Sequence, residues 1–412
     1  MGYVINRHHE EPTLPEQLPI VKTGLDVLVA SDFKQLQGKR VGILGHPGSI
    51  DRNLCHLLTH CLEKGINVVR LFGAEHGFWG NAHYMEAVDT IIDPKSKLPI
   101  ISLYGNEKDS LFIKPEYLED LDVLVCDLQD IGSRYYTFAY TIAFAMKSCE
   151  QARIACMVLD RPNPIGGLSV EGNQVLPDFI SFVGEYPLAN RHGLTLGELA
   201  HFFKAFDKNT CDLEVVWMEN WKRNYYFADT KLPWVLPSPN MATETTALVY
   251  PGTCLLEGTN LSEGRGTTRP FEMLGAPYIT DPDHFVSLAQ SCQLPGAILR
   301  PCWFTPLSDK HAGKLCGGLQ IHITYREQFL PLKTAVAILW AARQFEGFAW
   351  RTEAYEFVAD RLAIDLLFGD DVCRTMLDAN ATVDAIMAHI NKSQPHFETV
   401  RQKALYAGYD PH

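Results

Sequence analysis

The sequence has 412 residues, of which 46% are hydrophobic and 21% charged, and its 36 basic and 49 acidic residues give a net charge of −13. A chain of this length exceeds one ordinary hydrophobic core, so two domains are expected. It contains no basic run, which argues against a nucleic-acid partner whose phosphates must be neutralised.

The N-terminal segment and the cysteines both indicate the cellular compartment of the protein. Residues 1–18 are mostly polar and lack the basic start and apolar stretch of a signal peptide, and no segment is long enough to span a bilayer. The eleven cysteines are scattered, odd in number and without a C-x-x-C pair, as is typical of reduced core thiols. These features predict a cytoplasmic protein with no membrane partner.

The first half of the chain alternates short apolar runs with helical patterns. Buried strands are predicted at Val41–Leu44, Val68–Phe72, Val123–Asp127 and Ala155–Asp160, with a further strand at Leu213–Trp217. Helices are predicted at 51–64, where an acidic residue would cap the first turn, and at 139–151 and 196–206. This alternation favours an α/β fold with a parallel, doubly wound sheet.

The second half has a different character. The proline-rich tract 232–251 predicts an extended connection. Beyond it, residues 319–323 alternate like a half-exposed strand, and 331–346 and 354–368 have helical patterns. We therefore place a domain boundary near 245–255, with a first domain over 20–250 and a smaller α/β domain over 251–408.

Ionisable or hydrogen-bonding side chains follow each of the first four predicted strands. In chain order these are His46, then Glu75 and His76, then Asp127 and Asp130, then Asp160, Arg161 and Asn163. In open α/β sheets, ligands bind outside the carboxyl ends of the strands. Four such strand ends on one edge of a sheet predict an active site there.

Each motif alone is less specific. Glu75 lies between Gly73 and Gly77, and Phe78 and Trp79 could supply the apolar wall that raises the pKa of a general acid. From this motif alone, however, a solvated loop glutamate is the favoured interpretation. Asp127 either flanks a substrate or caps the next helix. A metal cluster of His46, His76, His83 and His192 is not favoured, because no metal-binding spacing connects these histidines.

Residues 257–272 form a glycine-rich segment that invites a phosphate-loop interpretation. The segment lacks the lysine-serine or lysine-threonine ending of such loops, and its glutamates would repel phosphate. Its two arginines, Arg265 and Arg269, suit a ligand with a carboxylate, which arginine binds through two parallel hydrogen bonds. A merely solvated loop is the alternative.

Several of these segments together resemble the exo-β-N-acetylmuramidase (NamZ) family. The segments that carry the resemblance are 73–78, 127–137, 160–167, 191–193, 237–241 and 257–272, and the likeness runs from about Gly24 to Tyr406. The resemblance implies a Rossmann-like N-terminal domain, a smaller α/β C-terminal domain and a cleft between them. It also implies release of N-acetylmuramic acid from the non-reducing end of peptidoglycan fragments. No cofactor or metal is expected, because the motifs that would bind one are missing from the sequence.

The resemblance and the strand-end pattern together define the expected site. Catalytic roles are expected for Glu75, His76 and Asp127. Substrate-binding roles are expected for Arg161, Asn163, Arg191, His192, Asn240, Glu257, Asn260, Glu263, Arg265 and Arg269. The lactyl carboxylate of N-acetylmuramic acid would suit the arginine-bearing segment, and an interdomain cleft would supply the closed-ended pocket of an exo-acting enzyme.

The mechanistic hypothesis is that Glu75 donates a proton to the leaving sugar. The second participant stays open between a carboxylate, such as Asp127, Glu257 or Glu263, and the 2-acetamido oxygen of the substrate. Two other functions remain as alternatives: a metal-dependent hydrolase that uses His46, Glu75, His76 and Asp127, and a non-catalytic protein that binds muramyl sugars.

Overall fold

The computed structural model describes residues 19–80, 91–105 and 108–410. Its strands are β1 Arg40–Gly45, β2 Asn67–Gly73, β3 Ile91–Ile92, β4 Pro99–Ser102, β5 Val123–Asp127, β6 Ala155–Leu159, β7 Leu213–Val216, β8 Met273–Ala276, β9 Ala297–Phe304 and β10 Cys316–Ile323. Its helices are α1 Gly24–Ala30, α2 Leu57–Glu63, α3 Phe138–Ala152, α4 Leu196–Asp207, α5 Phe227–Thr230, α6 Glu244–Thr253, α7 Pro282–Gln290, α8 Pro331–Ala342, α9 Ala363–Phe368, α10 Val372–Asp378, α11 Val383–Ile390 and α12 Gln394–Arg401.

The first half forms a seven-stranded sheet in the order β3-β4-β2-β1-β5-β6-β7. All neighbouring pairs are parallel except β3 with β4. The chain moves from β1 to β2 on one side and later returns to β5 on the other side. The crevice of this doubly wound sheet therefore opens at the carboxyl ends of β1 and β5, as the strand patterns predicted.

The second half adds a three-stranded antiparallel sheet in the order β8-β10-β9 and the helices α7 to α12. This confirms the expected combination of a large parallel sheet with a smaller α/β part. Helix α8 is buried along most of its length, and its residues belong to the same apolar core as those of α3. Within the described ranges, no helix has the length and apolar character needed to cross a membrane.

Three predicted elements differ in the structure. Helix α2 begins at Leu57 rather than at residue 51, because the Asp51 carboxylate accepts the N–H groups of Asn53 and Cys55 and organises a turn before the helix. The proline-rich tract is not extended throughout, because its last residues belong to α6, which starts from a capping box at Thr243.

The third difference concerns residues 354–368, where a single long helix was expected. Only Ala363–Phe368 is helical. Upstream of it, Tyr355 and Val358 exchange two backbone hydrogen bonds of 2.9 Å and close a tight turn. This turn places Phe357 against Tyr104, which follows strand β4 of the large sheet.

Candidate active site

Glu75 lies on a sharp turn that follows strand β2. A Cβ atom at Gly73 would come within 2.5 Å of the backbone nitrogen of Phe78, so this close approach requires glycine. The next residues, His76 and Gly77, both have positive φ values, of 71° and 80°. The turn therefore holds Glu75 just beyond the carboxyl end of β2, at the edge of the sheet where ligands bind.

The Glu75 carboxyl group is held by its neighbours and is largely shielded, with 10% of the side chain exposed. The Thr137 hydroxyl donates a hydrogen bond of 2.7 Å to Oε2. Nε2 of His76 lies 4.0 Å from Oε1, beyond hydrogen-bond distance but close enough for a charge interaction. Oε2 of Glu75 is thus fixed by the Thr137 hydroxyl, and the imidazole ring of His76 lies beside Oε1.

Glu75 lines a narrow cavity between the two halves of the chain, here called the inner cavity. Its volume is ≈ 50 Å³. The lining residues are Glu75, His76, Tyr135, Tyr136, Thr137, Phe138, Val183, Ser238, Asn240, Met241, Tyr250, Glu257, Arg265, Phe271, Tyr355 and Glu356. Both halves therefore contribute polar and aromatic groups around the carboxyl group.

The apolar wall of this cavity is not the one expected from the sequence. Phe78 and Trp79 pack edge to face with ring centroids 4.9 Å apart, and neither lines the inner cavity. Phe138 and Val183 line it instead, one from the first turn of α3 and the other from the loop before α4. The cavity that contains Glu75 therefore still has an apolar wall, but from residues distant in the sequence.

A wider outer cavity of ≈ 600 Å³ adjoins the inner one and shares Glu257 and Arg265 with it. Its other lining residues are Thr259, Asn260, Glu263, Asp309, Lys310, His311, Ala349, Trp350, Arg351, Thr352 and Glu353. Its volume falls within the range of ordinary small-molecule pockets, whereas that of the inner cavity is below it.

The wall shared by the two cavities is a buried ion network. Arg265 contacts Glu257 at 2.7 Å and Glu263 at 2.9 Å, and Lys310 contacts Glu263 at 3.0 Å. The Tyr355 hydroxyl donates to the other oxygen of Glu257 at 2.6 Å. Burial opposes ionisation of Glu263, but the charges of Lys310 and Arg265 prevail and lower its pKa. Removing one partner would leave a buried charge uncompensated.

Two tyrosine hydroxyl groups near Glu75 remain protonated at neutral pH. Burial, and next the charge of Glu75, raise the pKa of Tyr104, and burial raises the pKa of Tyr136. Tyr104 donates a long hydrogen bond of 3.4 Å to Oε2 of Glu356. Both tyrosines can therefore act only as neutral hydrogen-bonding groups in this environment.

Asp127 and Arg161 are paired with each other and do not reach the inner cavity. Asp127 is fully buried and accepts from Nε and Nη2 of Arg161 at 2.5 and 2.8 Å. Arg161 also donates to the carbonyl of Ile50 at 2.9 Å. The structure thus places these two predicted residues in an ion pair that braces the ends of β5 and β6, apart from Glu75.

Three other predicted residues brace loops. Asn163 donates to the carbonyl of Leu194 at 2.9 Å, and His192 lies 3.4 Å from Asp130. Arg191 contacts Glu171 at 3.1 Å and lines a different cavity. The structure does not bring Asn163, Arg191 or His192 to Glu75.

The remaining predicted residues divide between the cavities and the surface. Asn240 lines the inner cavity, and Asn260 and Glu263 line the outer one. The Asn260 amide is engaged, since it donates to the carbonyl of Gly347 at 2.7 Å. Arg269 lines neither cavity and has 47% of its side chain exposed, with Glu272 at 3.4 Å.

Among the described residues, His46, Glu75, His76 and Asp127 do not form the metal centre of the alternative hypothesis. His46 is buried beside the backbone amides of Gly48 and Gln129, and His83 lies outside the described residues. In the part of the chain that the structure describes, the one group with metal-ligand atoms close together is Asp370, Cys373 and His389, which does not line either cavity.

Sequence reasoning missed several residues of the site. Thr137 lies within the motif 127–137, but its position directly before a predicted helix indicates only a helix cap. The sequence gives no sign that its hydroxyl contacts Glu75. Glu356 and Tyr355 lie in a segment that was expected to be helical. Tyr104 and Lys310 stand in no motif, and only the fold brings them to the site.

Comparisons with known proteins agree with this architecture. Residues 41–245 match the family model "Exo-beta-N-acetylmuramidase NamZ, N-terminal", and residues 248–406 match the corresponding C-terminal model. The peptidoglycan beta-N-acetylmuramidase NamZ of Bacillus subtilis (strain 168) is 41% identical over 388 residues, which cover 94% of this chain and 91% of that protein.

Two crystal structures of DUF1343 family proteins from Bacteroides fragilis NCTC 9343 share the fold. One has a TM-score of 0.83 at 31% identity and covers 95% of this chain and 99% of its own. The other has a TM-score of 0.72 at 28% identity and covers 96% and 100%. With both family models matched along most of its length, the chain belongs to the exo-β-N-acetylmuramidase NamZ family.

Proposed function

We propose that this chain is an exo-β-N-acetylmuramidase, a glycoside hydrolase that releases N-acetylmuramic acid from the non-reducing end of peptidoglycan fragments. The observation that carries the proposal is the Glu75 carboxyl group, which is oriented by Thr137 and enclosed in a cavity between the two halves. Family membership supplies the substrate class, and the enclosed carboxyl group supplies a general acid.

In this proposal Glu75 protonates the glycosidic oxygen as its bond to the anomeric carbon breaks. Glu75 becomes negatively charged in that step, and the Thr137 hydroxyl strengthens its hydrogen bond to the new carboxylate. His76 lies next to the same carboxyl group, with Nε2 4.0 Å from Oε1. Asp127 has no part in the step, because Arg161 occupies both of its oxygens.

The sugar must engage both cavities, because the inner cavity of ≈ 50 Å³ is too small for a whole hexosamine. Arg265 stands in the wall that the two cavities share, and we assign it to the lactyl carboxylate. Binding there requires the ligand to compete with Glu257 and Glu263 for the guanidinium group. Asn240 lines the inner cavity and supplies a neutral amide for sugar hydroxyl groups.

The site of action is proposed to be a reducing compartment, and hence the cytoplasm. All eleven cysteines of the chain are free, and nine of them are buried. Fractionation of the native host, with the protein followed by antibody, would test this. Recovery in the extracellular or wall fraction would place the substrate pool outside the cell.

The direct test of function is incubation with the disaccharide of N-acetylmuramic acid β-linked to N-acetylglucosamine. We expect both free sugars to appear with wild-type protein. The matched control is the disaccharide of the reverse order, with N-acetylglucosamine at the non-reducing end, which should remain intact. If neither disaccharide is cleaved while the muramyl sugar still binds, the protein is a binding protein and not an enzyme.

A further inference from the structure

Tyr136 presents a buried hydroxyl group to the inner cavity without an ordinary hydrogen bond. The hydroxyl oxygen is shielded from solvent and makes no hydrogen bond with the described residues, and Ser238, which lines the same cavity, is its polar neighbour. Buried polar groups in folded proteins are nearly always hydrogen-bonded. A donor left in this state at a cavity wall is explained by a ligand group that completes it.

Glu356 contributes a carboxyl group to the same cavity from the second half of the chain. The residue is 4% exposed. Glu356 and Phe357 occupy the two central positions of the turn that Tyr355 and Val358 close, and both have positive φ values, of 46° and 68°. Turns of this form favour asparagine and glycine, so glutamate and phenylalanine there are strained.

Contacts on both sides hold this strained turn in place. The Tyr355 hydroxyl is fixed to Glu257 at 2.6 Å, and the Phe357 ring packs with Tyr104 and Phe182 at centroid distances of 6.3 and 6.2 Å. Strain that the surroundings maintain is concentrated at functional sites. Its effect here is to deliver the carboxyl group of Glu356 into the cavity opposite the residues of the large sheet.

The carboxyl groups of the cavity differ in how they are engaged. Glu257 has one oxygen on Arg265 and the other on Tyr355, at 2.7 and 2.6 Å. Glu356 has a contact of 3.4 Å with Tyr104, longer than an ordinary hydrogen bond between oxygens. Both oxygens of Glu257 are therefore committed to residues of the protein, so Glu257 is not the carboxylate that accepts from a ligand here.

We propose that Tyr136 and Glu356 together bind the 2-acetamido group of the substrate. The Tyr136 hydroxyl donates to the amide carbonyl, and the Glu356 carboxylate accepts the amide N–H. A trans amide presents its donor and its acceptor in opposite directions, which fits a donor and an acceptor from opposite halves of the chain. The apolar Phe138 and Val183 of the same cavity suit the acetyl methyl group. Tyr104 is a positioning residue that steadies Glu356.

This inference rests on the proposed function and is tested with two aryl β-glycosides. One is the aryl N-acetylmuraminide, and the other carries a hydroxyl group in place of the 2-acetamido group. We expect Glu356→Gln to lower kcat/KM on the first substrate by roughly 10- to 150-fold, as for a hydrogen bond to a charged group. Tyr136→Phe should lower it by roughly 2- to 12-fold, as for a hydrogen bond between neutral groups. On the second substrate, both variants should match wild type.

The controls separate the alternatives. Glu346→Gln removes an exposed carboxylate of the same half and should leave both substrates unaffected. Thermal melting confirms that each variant is folded. Equal losses on both substrates, or no loss on the first, would overturn the acetamido site. Wild-type protein that cleaves neither glycoside would instead overturn the proposed function.

A binding measurement covers the case in which the hydroxyl analogue reacts too slowly. In the Glu75→Gln background, calorimetry compares N-acetylmuramic acid with 3-O-lactylglucose, which lacks the acetamido group. We expect the preference for the acetamido sugar to fall by the factor expected of each variant when Tyr136→Phe or Glu356→Gln is added. A preference that stays unchanged would overturn the inference.

Discussion

The Thr137 hydroxyl donates to the Glu75 carboxyl group at 2.7 Å, although Thr137 stands at the N-cap position of helix α3, where such a hydroxyl would ordinarily cap the helix. No side-chain capping hydrogen bond forms at that position. The helix thus lacks a capping hydrogen bond that typically contributes about 1 kcal/mol to stability. The Thr137 hydroxyl instead orients the carboxyl group of Glu75, which follows strand β2. This exchange supports the assignment of Glu75 as the group that acts on the substrate.

We expect Glu75→Gln to abolish turnover while folding and ligand binding are retained. The glutamine keeps the shape and the Thr137 contact but has no proton to give. General acid catalysis contributes roughly 10² to 10⁴ in rate, so kcat on the disaccharide should fall by that factor. An aryl muraminide with a very good leaving group should lose far less, because its departure needs no proton. A variant that keeps more than about a tenth of wild-type kcat on the disaccharide would exclude Glu75 as the acid.

We expect Thr137→Val to lower kcat by roughly 10- to 150-fold with KM little changed. The hydrogen bond strengthens as Glu75 gains negative charge in the transition state, and a bond to a charged group contributes about 1.5–3 kcal/mol. Thr137→Ser keeps the hydroxyl and should recover most of the rate. Thr334→Val removes a buried hydroxyl from α8, away from both cavities, and serves as the matched control. Equal kcat in Thr137→Val and wild type would show that the contact does not support catalysis.

The strand-end pattern predicts which edge of the sheet carries the site, but it could not assign partners along that edge. Glu75, Asp127 and Arg161 all follow predicted strands, and the predicted strands are present in the structure. A sequence shows which side chains reach that edge, whereas pairing depends on distances that only the fold determines. Asp127 and Arg161 neutralise each other, and Glu75 faces the second half of the chain.

The contribution of the second half was the hardest part to predict. Glu356 lies on a turn with two positive φ values, and neither glutamate nor phenylalanine is typical of that conformation. Local propensity therefore favoured a helix over 354–368, and tertiary contacts of Tyr355 and Phe357 overrode it. Of the two arginines in the glycine-rich segment, only Arg265 lines the cavities, and the sequence pattern did not distinguish it from Arg269.

We expect Asp127→Asn to destabilise the protein without a matching loss of catalysis. The substitution leaves Arg161 buried without its partner, and breaking a buried pair costs about 3–5 kcal/mol. Chemical denaturation should show that decrease in the free energy of unfolding, and kcat measured well below the melting temperature should equal that of wild type. Asp122→Asn breaks an exposed pair with Arg40 and should change stability by less than about 1 kcal/mol. A stable Asp127→Asn variant without activity would restore Asp127 to a catalytic role.

We expect Arg265→Ala and Arg265→Lys to have different effects. Alanine removes the arginine partner of the buried Glu257 and leaves Glu263 with Lys310, so it should cost about 3–5 kcal/mol of stability. Lysine keeps the charge but loses the planar, two-sided geometry, so KM for muramyl substrates should rise with a much smaller loss of stability. Arg300→Lys, at an exposed position, is the matched control.

Arg269→Ala distinguishes the two arginines of the same segment. The Arg269 side chain is exposed and lines neither cavity, so we expect KM for muramyl substrates to stay unchanged in this variant. An unchanged KM in Arg265→Lys, together with a raised KM in Arg269→Ala, would move the lactyl carboxylate to the surface of the segment.

The enzyme is expected to be exo-acting and selective for N-acetylmuramic acid over N-acetylglucosamine at the non-reducing end. The two sugars differ by the lactyl ether, so selectivity must come from contacts that only the lactyl group can make. Its carboxylate can form a charge-assisted contact with Arg265 in place of one of the two glutamates, and N-acetylglucosamine has no group to make this contact. The narrow inner cavity around Glu75 favours the end of a glycan over its interior.

The test of this exo-acting selectivity compares chromogenic N-acetylmuraminide and N-acetylglucosaminide, and then follows the products of a longer glycan over time. Monosaccharide should appear first, and equal rates on the two chromogenic sugars or early mid-chain fragments would contradict this assignment.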